Sequence, residues 1–475
     1  MNVEERLRTE RISKLLLTFS VPSIISLVIT AVYNMVDQIF IGQGVGYLGN
    51  GATNVIYPLT QVALALGLMI GEGGANYISL HLGAGERDKV SRAAAASIAA
   101  LLGCGILLAA VYLAFLEPLC ILFGATEQTL PYALDYGRII SLGMIWNVFS
   151  IGSTSLVRAD GQPGMAMGGM IAGFVVNIIG DPVAIFLLGM GVKGAAWATI
   201  LGQMATAVVN IIALRRCRTI PLDHSSFSGC VGLIPAVAKG GLSSFMSQFT
   251  IVIVSAVQNN LYVYYGAQSI YGSDIPMTTM GVTVKIFVVV QCFALGLSSG
   301  SQPIIGYNYG RGLYQRVKDT YKTILVASAL FLLTATLWFQ LAPMSIVRLF
   351  GESDPLYLEF AVKCLRIYLL LIVVDVFQMT GSIFLQSLGQ PVRAAVLTLI
   401  RQLIIVLPAM FLLGRWFGVE GLLWSGPVSM GLTAIVAVAF LRKAWKGLSE
   451  GGKKAGGSHE ALSGDPFFRR GLPGG

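Results

Sequence analysis

The sequence predicts an all-α membrane protein whose twelve transmembrane helices form two six-helix bundles related by a pseudo-two-fold axis. Three observations support this prediction: the composition, the length of the apolar stretches and an internal repeat. Of the 475 residues, 55% are hydrophobic and 12% are charged. Because about 25% of the residues of an average soluble domain are charged, this composition is that of a protein surrounded by lipid.

Twelve apolar stretches are long enough to cross a bilayer, for which a helix needs about 20 residues. They are residues 14–41, 52–80, 93–116, 133–157, 165–188 and 192–214, then 235–264, 276–305, 320–341, 361–388, 394–413 and 419–441. A transmembrane β-barrel would alternate polar and apolar residues, and stretches such as 101–116 do not alternate. Each stretch is therefore predicted to be a helix.

Short motifs of the first half recur in the second half in the same order. ALGL at residues 65–68 recurs at 294–297, GQP at 161–163 recurs at 389–391, and FLLG at 186–189 recurs at 411–414. The chain is thus two copies of one module. Because each copy has an even number of spans, the pseudo-two-fold axis should run along the membrane normal, as in duplicated secondary transporters.

The basic residues concentrate in the loops on one side of the predicted membrane. They precede the first stretch, follow the second, fourth, eighth, tenth and twelfth, and flank the loop between the sixth and seventh. By the positive-inside rule both termini are therefore cytoplasmic. We predict an N-terminal bundle of residues 1–214, a cytoplasmic linker of residues 215–234, a C-terminal bundle of residues 235–446 and a disordered cytoplasmic tail of residues 447–475.

The net charge of +9 follows from this topology, so it requires no nucleic-acid partner. We expect a monomer that crosses the cell membrane several times and contacts the lipid bilayer. The sequence has no HExxH motif, no P-loop and no clustered metal ligands, and its six cysteines form no CxxC pair. These features argue against an enzyme, a resident metal and a cofactor.

Ionisable residues within the apolar stretches are the candidates for function, because a charge at membrane depth costs free energy and tends to face a partner or a cavity. Asp37, Asp181 and Asp375 lie in the first, fifth and tenth stretches, and Lys285 lies in the eighth. Buried polar pairs that only hold helices together would give the same pattern, so both interpretations stand.

Asp181 lies near other oxygen-bearing groups. Asn177 precedes it by four residues, so the two side chains share a helix face. Pro182 follows directly and, because proline has no N–H group, frees the carbonyl of Ile178. Such oxygens suit Na⁺, and a buried carboxylate also suits a proton, so the spacing leaves H⁺ and Na⁺ open.

Four motifs resemble those of one transporter family. NMVDQIFIGQGVG at residues 34–46 closely resembles the first-helix signature of the multidrug and toxic compound extrusion (MATE) transporters. VRADGQP at residues 157–163, NIIGDP at residues 177–182 and GVKGAAWAT at residues 191–199 resemble three further motifs of that family. The resemblance spans the twelve predicted helices and is closest to prokaryotic multidrug-export members with an acidic residue on the first helix.

The resemblance implies two bundles that face each other across a central cavity, which opens alternately to either side. It implies a cation-coupling site in the N-terminal bundle, formed here by Asp37, Asn177, Asp181 and Thr199, with no metal other than Na⁺. Pro22 and Pro182 are the predicted helix bends. A second branch of the family uses acids in the seventh and tenth helices; Asp375 stands at the latter position, but residues 240–266 contain no acid.

The implied function is secondary active efflux of small organic, often cationic, compounds in exchange for H⁺ or Na⁺ by alternating access. The alternative is a flippase for lipid-linked precursors from the wider superfamily, which the few buried Lys and Arg residues disfavour. Apolar, aromatic and methionine side chains can pack around varied substrates. Candidates for the substrate cavity are Tyr33, Met35, Gln61, Met69, Met144, Trp146, Gln258, Met280, Gln291, Phe293, Asp375 and Met379.

Overall fold

The structure is a computed structural model that describes residues 3–455, except residues 46, 124, 126, 128, 218, 221–223, 228, 273 and 348–354. For some further residues, 32–39 among them, it describes the backbone only. The described chain is helical and contains no strand. The fold is therefore all-α, as the composition predicts.

The first copy of the module forms seven α-helices. They are α1 (Val3–Thr9), α2 (Ile12–Val45), α3 (Tyr47–Ala84), α4 (Arg87–Leu122), α5 (Leu130–Ala159), α6 (Pro163–Pro182) and α7 (Val192–Arg215). A π-helix, Val183–Leu187, extends α6. Two 3₁₀-helices, His224–Phe227 and Cys230–Leu233, lead into the second copy.

The second copy is divided into more pieces than the first. Its helices are α8 (Ile234–Gly240), α9 (Leu242–Gly266), α10 (Asp274–Gly310), α11 (Tyr314–Leu341), α12 (Pro343–Val347), α13 (Pro355–Tyr368), α14 (Val376–Ser387), α15 (Pro391–Leu399) and α16 (Leu407–Ala455). A second π-helix, Ile400–Val406, joins α15 to α16. Hydrogen-bonded turns at residues 369–375 separate α13 from α14.

The helices account for the twelve predicted spans. Within the described residues, nine helical stretches are long and apolar enough to cross a membrane, and the bent pair α8–α9 adds a tenth. One of the nine, residues 391–449, covers both the eleventh and twelfth predicted spans, and Gly418 marks the boundary with a φ of 62°. The tenth predicted span is the interrupted pair α13–α14. Because turns interrupt it, this span is not counted among the unbroken apolar helices.

The chain divides into two compact units. Unit 1 comprises Met1–Gln248, Gly300–Arg311 and Ser387–Gly389, and unit 2 comprises Phe249–Ser299, Gly312–Gln386 and Gln390–Gly475. Unit 1 thus contains the first copy and short segments of the second. The boundaries of bundles, linker and tail given above remain predictions.

Glycines explain why the end of α10 belongs to unit 1. A Cβ atom on Gly310 would lie 2.0 Å from the Leu80 carbonyl oxygen, and one on Gly83 would lie 2.1 Å from the Tyr307 carbonyl oxygen. The backbones of α3 and α10 therefore touch at a distance that only glycine allows, as is common where helices pack in membranes.

Unit 2 is stabilised by two apolar clusters of its own. One surrounds Phe339, Leu369 and Met379, and the other surrounds Tyr262, Met280 and Leu422. The residues 369–375 that interrupt the tenth span contribute Leu369 and Ile372 to the first cluster, where both are fully buried. The interruption is therefore packed into the core of unit 2.

Candidate cation-coupling site

The close approach of α6 and α7 positions the candidate site. A Cβ atom on Gly173 would lie 2.7 Å from the Gly202 carbonyl oxygen, and one on Gly180 would lie 3.1 Å from the Ala198 Cβ atom. Small residues thus bring the two helices into backbone contact along their length. As a result, the polar side chains of one helix reach the other without spanning a layer of apolar side chains.

Three of the four predicted site residues meet at this contact. The side-chain amide nitrogen of Asn177 donates a hydrogen bond to Asp181 Oδ2 at 2.9 Å, and its oxygen accepts one from the Thr199 backbone N–H at 3.2 Å. The Thr199 hydroxyl lies 3.5 Å from the same amide group. Asp181 is fully buried, and Asn177 and Thr199 are 2% and 9% exposed.

The end of α6 is irregular directly beside Asp181. Pro182 is the last residue of α6 and the π-helix Val183–Leu187 begins at once, with its final turn closed by the Leu188 N–H to the Val183 carbonyl at 2.9 Å. Because proline donates no backbone hydrogen bond, the Ile178 carbonyl loses its helical partner. π-Helical turns are frequent at functional sites. The sequence predicted the proline effect but gave no signal for the π-helix.

The remaining predicted member lies outside the described side chains. Asp37 is on α2, which packs against α6, but only its backbone is described, as for the cavity candidates Tyr33 and Met35. Pro22 lies inside α2, which continues through it, and the Ser26 hydroxyl donates to the Pro22 carbonyl at 2.8 Å. The roles of Asp37 and of a bend at Pro22 remain predictions.

Unit 2 contains a separate charged pair, Asp375 and Arg401, which the sequence did not predict. Arg401 Nη2 lies 2.9 Å from Asp375 Oδ2, and its Nη1 donates to Gln378 Oε1 at 2.6 Å. Asp375 is fully buried and the Arg401 side chain is 13% exposed. The sequence pattern did not connect Arg401 with Asp375. The signal that could have indicated this pair is that a charged Asp375 within a membrane span needs a counter-charge.

The other candidates for the substrate cavity lie in different surroundings. Met144 is buried, Met280 and Met379 are buried within the two apolar clusters of unit 2, and Gln258 is 8% exposed. Phe293 stacks on Phe331 with 4.1 Å between ring centroids, and Gln61 donates to the Tyr57 hydroxyl at 2.7 Å. Met69, Trp146 and Gln291 are half-buried. The assignment of these residues to a cavity remains a prediction.

No group of three or more His, Cys, Asp and Glu side chains that could hold a metal ion occurs in the described residues. The oxygen atoms that the described site offers to a cation are the Asp181 carboxylate, the Thr199 hydroxyl and the carbonyl freed by Pro182. A hard monovalent cation or a proton suits this set, because neither needs nitrogen or sulfur ligands.

The family model MatE matches residues 22–183 and 243–412, one segment in each copy of the module. The chain belongs to the MATE family. Multidrug export protein MepA of Staphylococcus haemolyticus (strain JCSC1435) is 27% identical over 432 residues, which cover 90% of this chain and 92% of that protein. MepA of Staphylococcus aureus (strain MRSA252) is 24% identical over 428 residues, with the same coverage.

Solved structures of MATE proteins share the fold. A crystal structure of MATE in the bent conformation superposes with a TM-score of 0.88 at 22% identity and covers 95% of this chain and 99% of its own. An outward-facing conformation of a multidrug resistance MATE family transporter gives the same TM-score, identity and coverage. The predicted all-α architecture of two six-helix bundles is therefore confirmed as that of this family.

Proposed function

We propose that this MATE family member exports small organic, often cationic, compounds from the cell in exchange for H⁺ or Na⁺. Family membership and the multidrug-export names of its relatives support the efflux function. The buried contact between Asn177, Asp181 and Thr199 is the observation that supports cation coupling. The protein would act in the cell membrane as a monomer, with no enzymatic cofactor.

The proposed mechanism couples the charge of the site to the shape of the N-terminal bundle. This mechanism requires Asp37 and Asp181 to lie close together in a low-dielectric environment, where two negative charges repel and binding of a proton or Na⁺ relieves that repulsion. Each elementary charge that moves inward gains about 2.3 kcal/mol per 100 mV of membrane potential. Binding and release would change the backbone at Pro22 and beside Pro182, where the hydrogen-bonding of a helix is already incomplete.

The test is efflux of a fluorescent cationic dye from cells that lack their own exporters. Asp37→Asn and Asp181→Asn should each abolish gradient-driven efflux, because Asn has the shape of Asp without its charge. Asp375→Asn, in the other charged centre, should have a milder effect on gradient-driven efflux, and comparison with it shows which centre couples the cation. Membrane levels of all three variants are measured in parallel.

Proteoliposomes with either a pH gradient or a Na⁺ gradient identify the coupling ion. Efflux driven by neither gradient would contradict coupled exchange. Wild-type rates in Asp181→Asn together with loss of efflux in Asp375→Asn would assign the coupling to unit 2 and overturn the proposed site.

A further inference from the structure

A basic cluster lies where the beginning of α11 meets the end of α16, both within unit 2. Lys318 Nζ and Lys322 Nζ lie 5.4 and 5.6 Å from the centroid of the Trp445 ring. Lys318 Nζ also donates to Ser449 Oγ at 2.6 Å. Within the described part of the chain, neither lysine has a carboxylate within ion-pair distance. The nearby Asp319 accepts a hydrogen bond from Gln315 instead.

Two exposed apolar stripes run into this basic cluster. Residues three or four apart lie on one face of a helix. On α11, Lys322 ends a stripe of exposed side chains formed by Val326, Leu330, Leu333 and Leu337, which are 44–60% exposed. On α16, the exposed Arg442 ends a stripe formed by Val428, Leu432 and Ile435, which are 37–70% exposed. The two helices pack against each other, and Lys318 and Lys322 of α11 lie beside Trp445, which is three residues after Arg442 on α16.

We propose that this surface of unit 2 binds an anionic phospholipid. The acyl chains would lie along the apolar stripes of α11 and α16, and the phosphate would contact Lys318, Lys322 and Arg442. The topology predicted from the basic loops places this end of the helices at the cytoplasmic leaflet, which is the leaflet with a negative surface potential. Trp445 lies at the same level, as aromatic residues at membrane interfaces commonly do.

The arrangement of the two lysines favours an anion over a neutral headgroup. Both ammonium groups are held near one indole ring, so their like charges repel. A phosphate between them would replace that repulsion with two attractions. A soluble anion would use only the basic residues, whereas a phospholipid would also cover the apolar stripes, and for this reason we infer a lipid.

Binding is measured by native mass spectrometry of the full-length protein released from detergent, with phosphatidylglycerol and phosphatidylcholine as probes. Phosphatidylglycerol should bind the wild type more tightly than phosphatidylcholine. The double variant K318Q/K322Q should bind phosphatidylglycerol about thirtyfold more weakly, because each of the two lysines near an anionic surface contributes about 1 kcal/mol and 1.4 kcal/mol is a factor of ten. Its affinity for phosphatidylcholine should not change.

The matched control is the double variant R92Q/R393Q, which removes two exposed cations from the beginnings of α4 and α15. It should retain wild-type affinity for phosphatidylglycerol. Equal loss in the control, or equal binding of the two lipids by the wild type, would overturn the proposal. Full competition by glycerol phosphate would show a soluble-anion site instead. If K318Q/K322Q fails to fold, Lys322→Gln alone should show a smaller loss of the same kind, because its side chain is exposed.

Discussion

Asp375 and Arg401 show how a charge is accommodated inside unit 2. Each lies where the regular α-helix is interrupted, Asp375 at the end of the turns that follow α13 and Arg401 in the π-helix Ile400–Val406. Their ion pair is almost fully buried, with 0% and 13% of the side chains exposed. A buried pair of this kind is a weak source of stability, but removal of one partner leaves the other charge uncompensated.

We therefore expect Arg401→Gln to lower the free energy of unfolding by about 3 kcal/mol, because it leaves Asp375 buried without a counter-charge. The double variant D375N/R401Q should be less destabilised than Arg401→Gln alone, since it removes both charges. Unfolding in detergent, followed by tryptophan fluorescence, measures both. If the effect of the double variant equals the sum of the effects of Asp375→Asn and Arg401→Gln, the two residues are not coupled.

The candidate coupling site depends on single residues in a different way. Asn177 donates to Asp181 and accepts from the Thr199 backbone, so it fixes the position of the carboxylate relative to α7. The Asp181 charge is the functional feature in the proposed mechanism, and Asn177 is a positioning residue. Asn177 and Asp181 were predictable together because four residues separate them, whereas the distance to Thr199 depends on how α7 packs.

At the scale of helices, glycine determines how close α6 and α7 come. Gly173 and Gly202 face each other, and a Cβ atom on Gly202 would also lie 3.2 Å from the Asn177 Cβ atom. A larger side chain at this contact must push the helices apart. The hydrogen bonds of Asn177, which connect the two helices, would then lengthen.

We expect Gly173→Ala to cost about 1–3 kcal/mol of stability, because its Cβ atom would lie 2.2 Å from Thr206 Oγ1 and 2.7 Å from a backbone oxygen. The matched control is Gly168→Ala on the same helix, where a Cβ atom would have no neighbour within 4 Å. It should leave stability unchanged or raise it by up to about 1 kcal/mol. The unfolding midpoint in detergent measures stability, and dye efflux measures the site.

Loss of stability in both variants alike would show that helix packing at Gly173 has no special role. Loss of efflux in Gly173→Ala with unchanged stability would instead show that the spacing of α6 and α7 matters for coupling itself.

At the scale of the whole molecule, the duplication organises both sequence and structure. The two segments that match the MatE model fall one in each copy. The basic loops predict that both termini and the linker between the copies are cytoplasmic. The native cysteines of that linker are poor probes of this topology, since Cys230 is 3% exposed. Burial, aided by the charge of Asp160, raises the pKa of the Cys217 thiol to about 12.

Introduced cysteines at exposed positions give a clearer test of topology. Asp88 lies in the first turn of α4 and Gln268 lies between α9 and α10, and both are exposed. An impermeant maleimide applied to intact cells should label Gln268→Cys and should not label Asp88→Cys until the cells are permeabilised. The wild-type protein gives the background. Labelling of Asp88→Cys in intact cells would reverse the predicted orientation.

The sequence by itself determined the all-α class, the twelve spans, the duplication and the family, because apolar length and motif spacing are local properties of the chain. It also placed Asn177 and Asp181 on one helix face, since that relation depends only on the helical period. Only the tertiary structure decided that Arg401 is the partner of Asp375, and that Gly300–Arg311 packs within unit 1. These relations depend on the rotation and spacing of helices, which are set by contacts between distant parts of the chain.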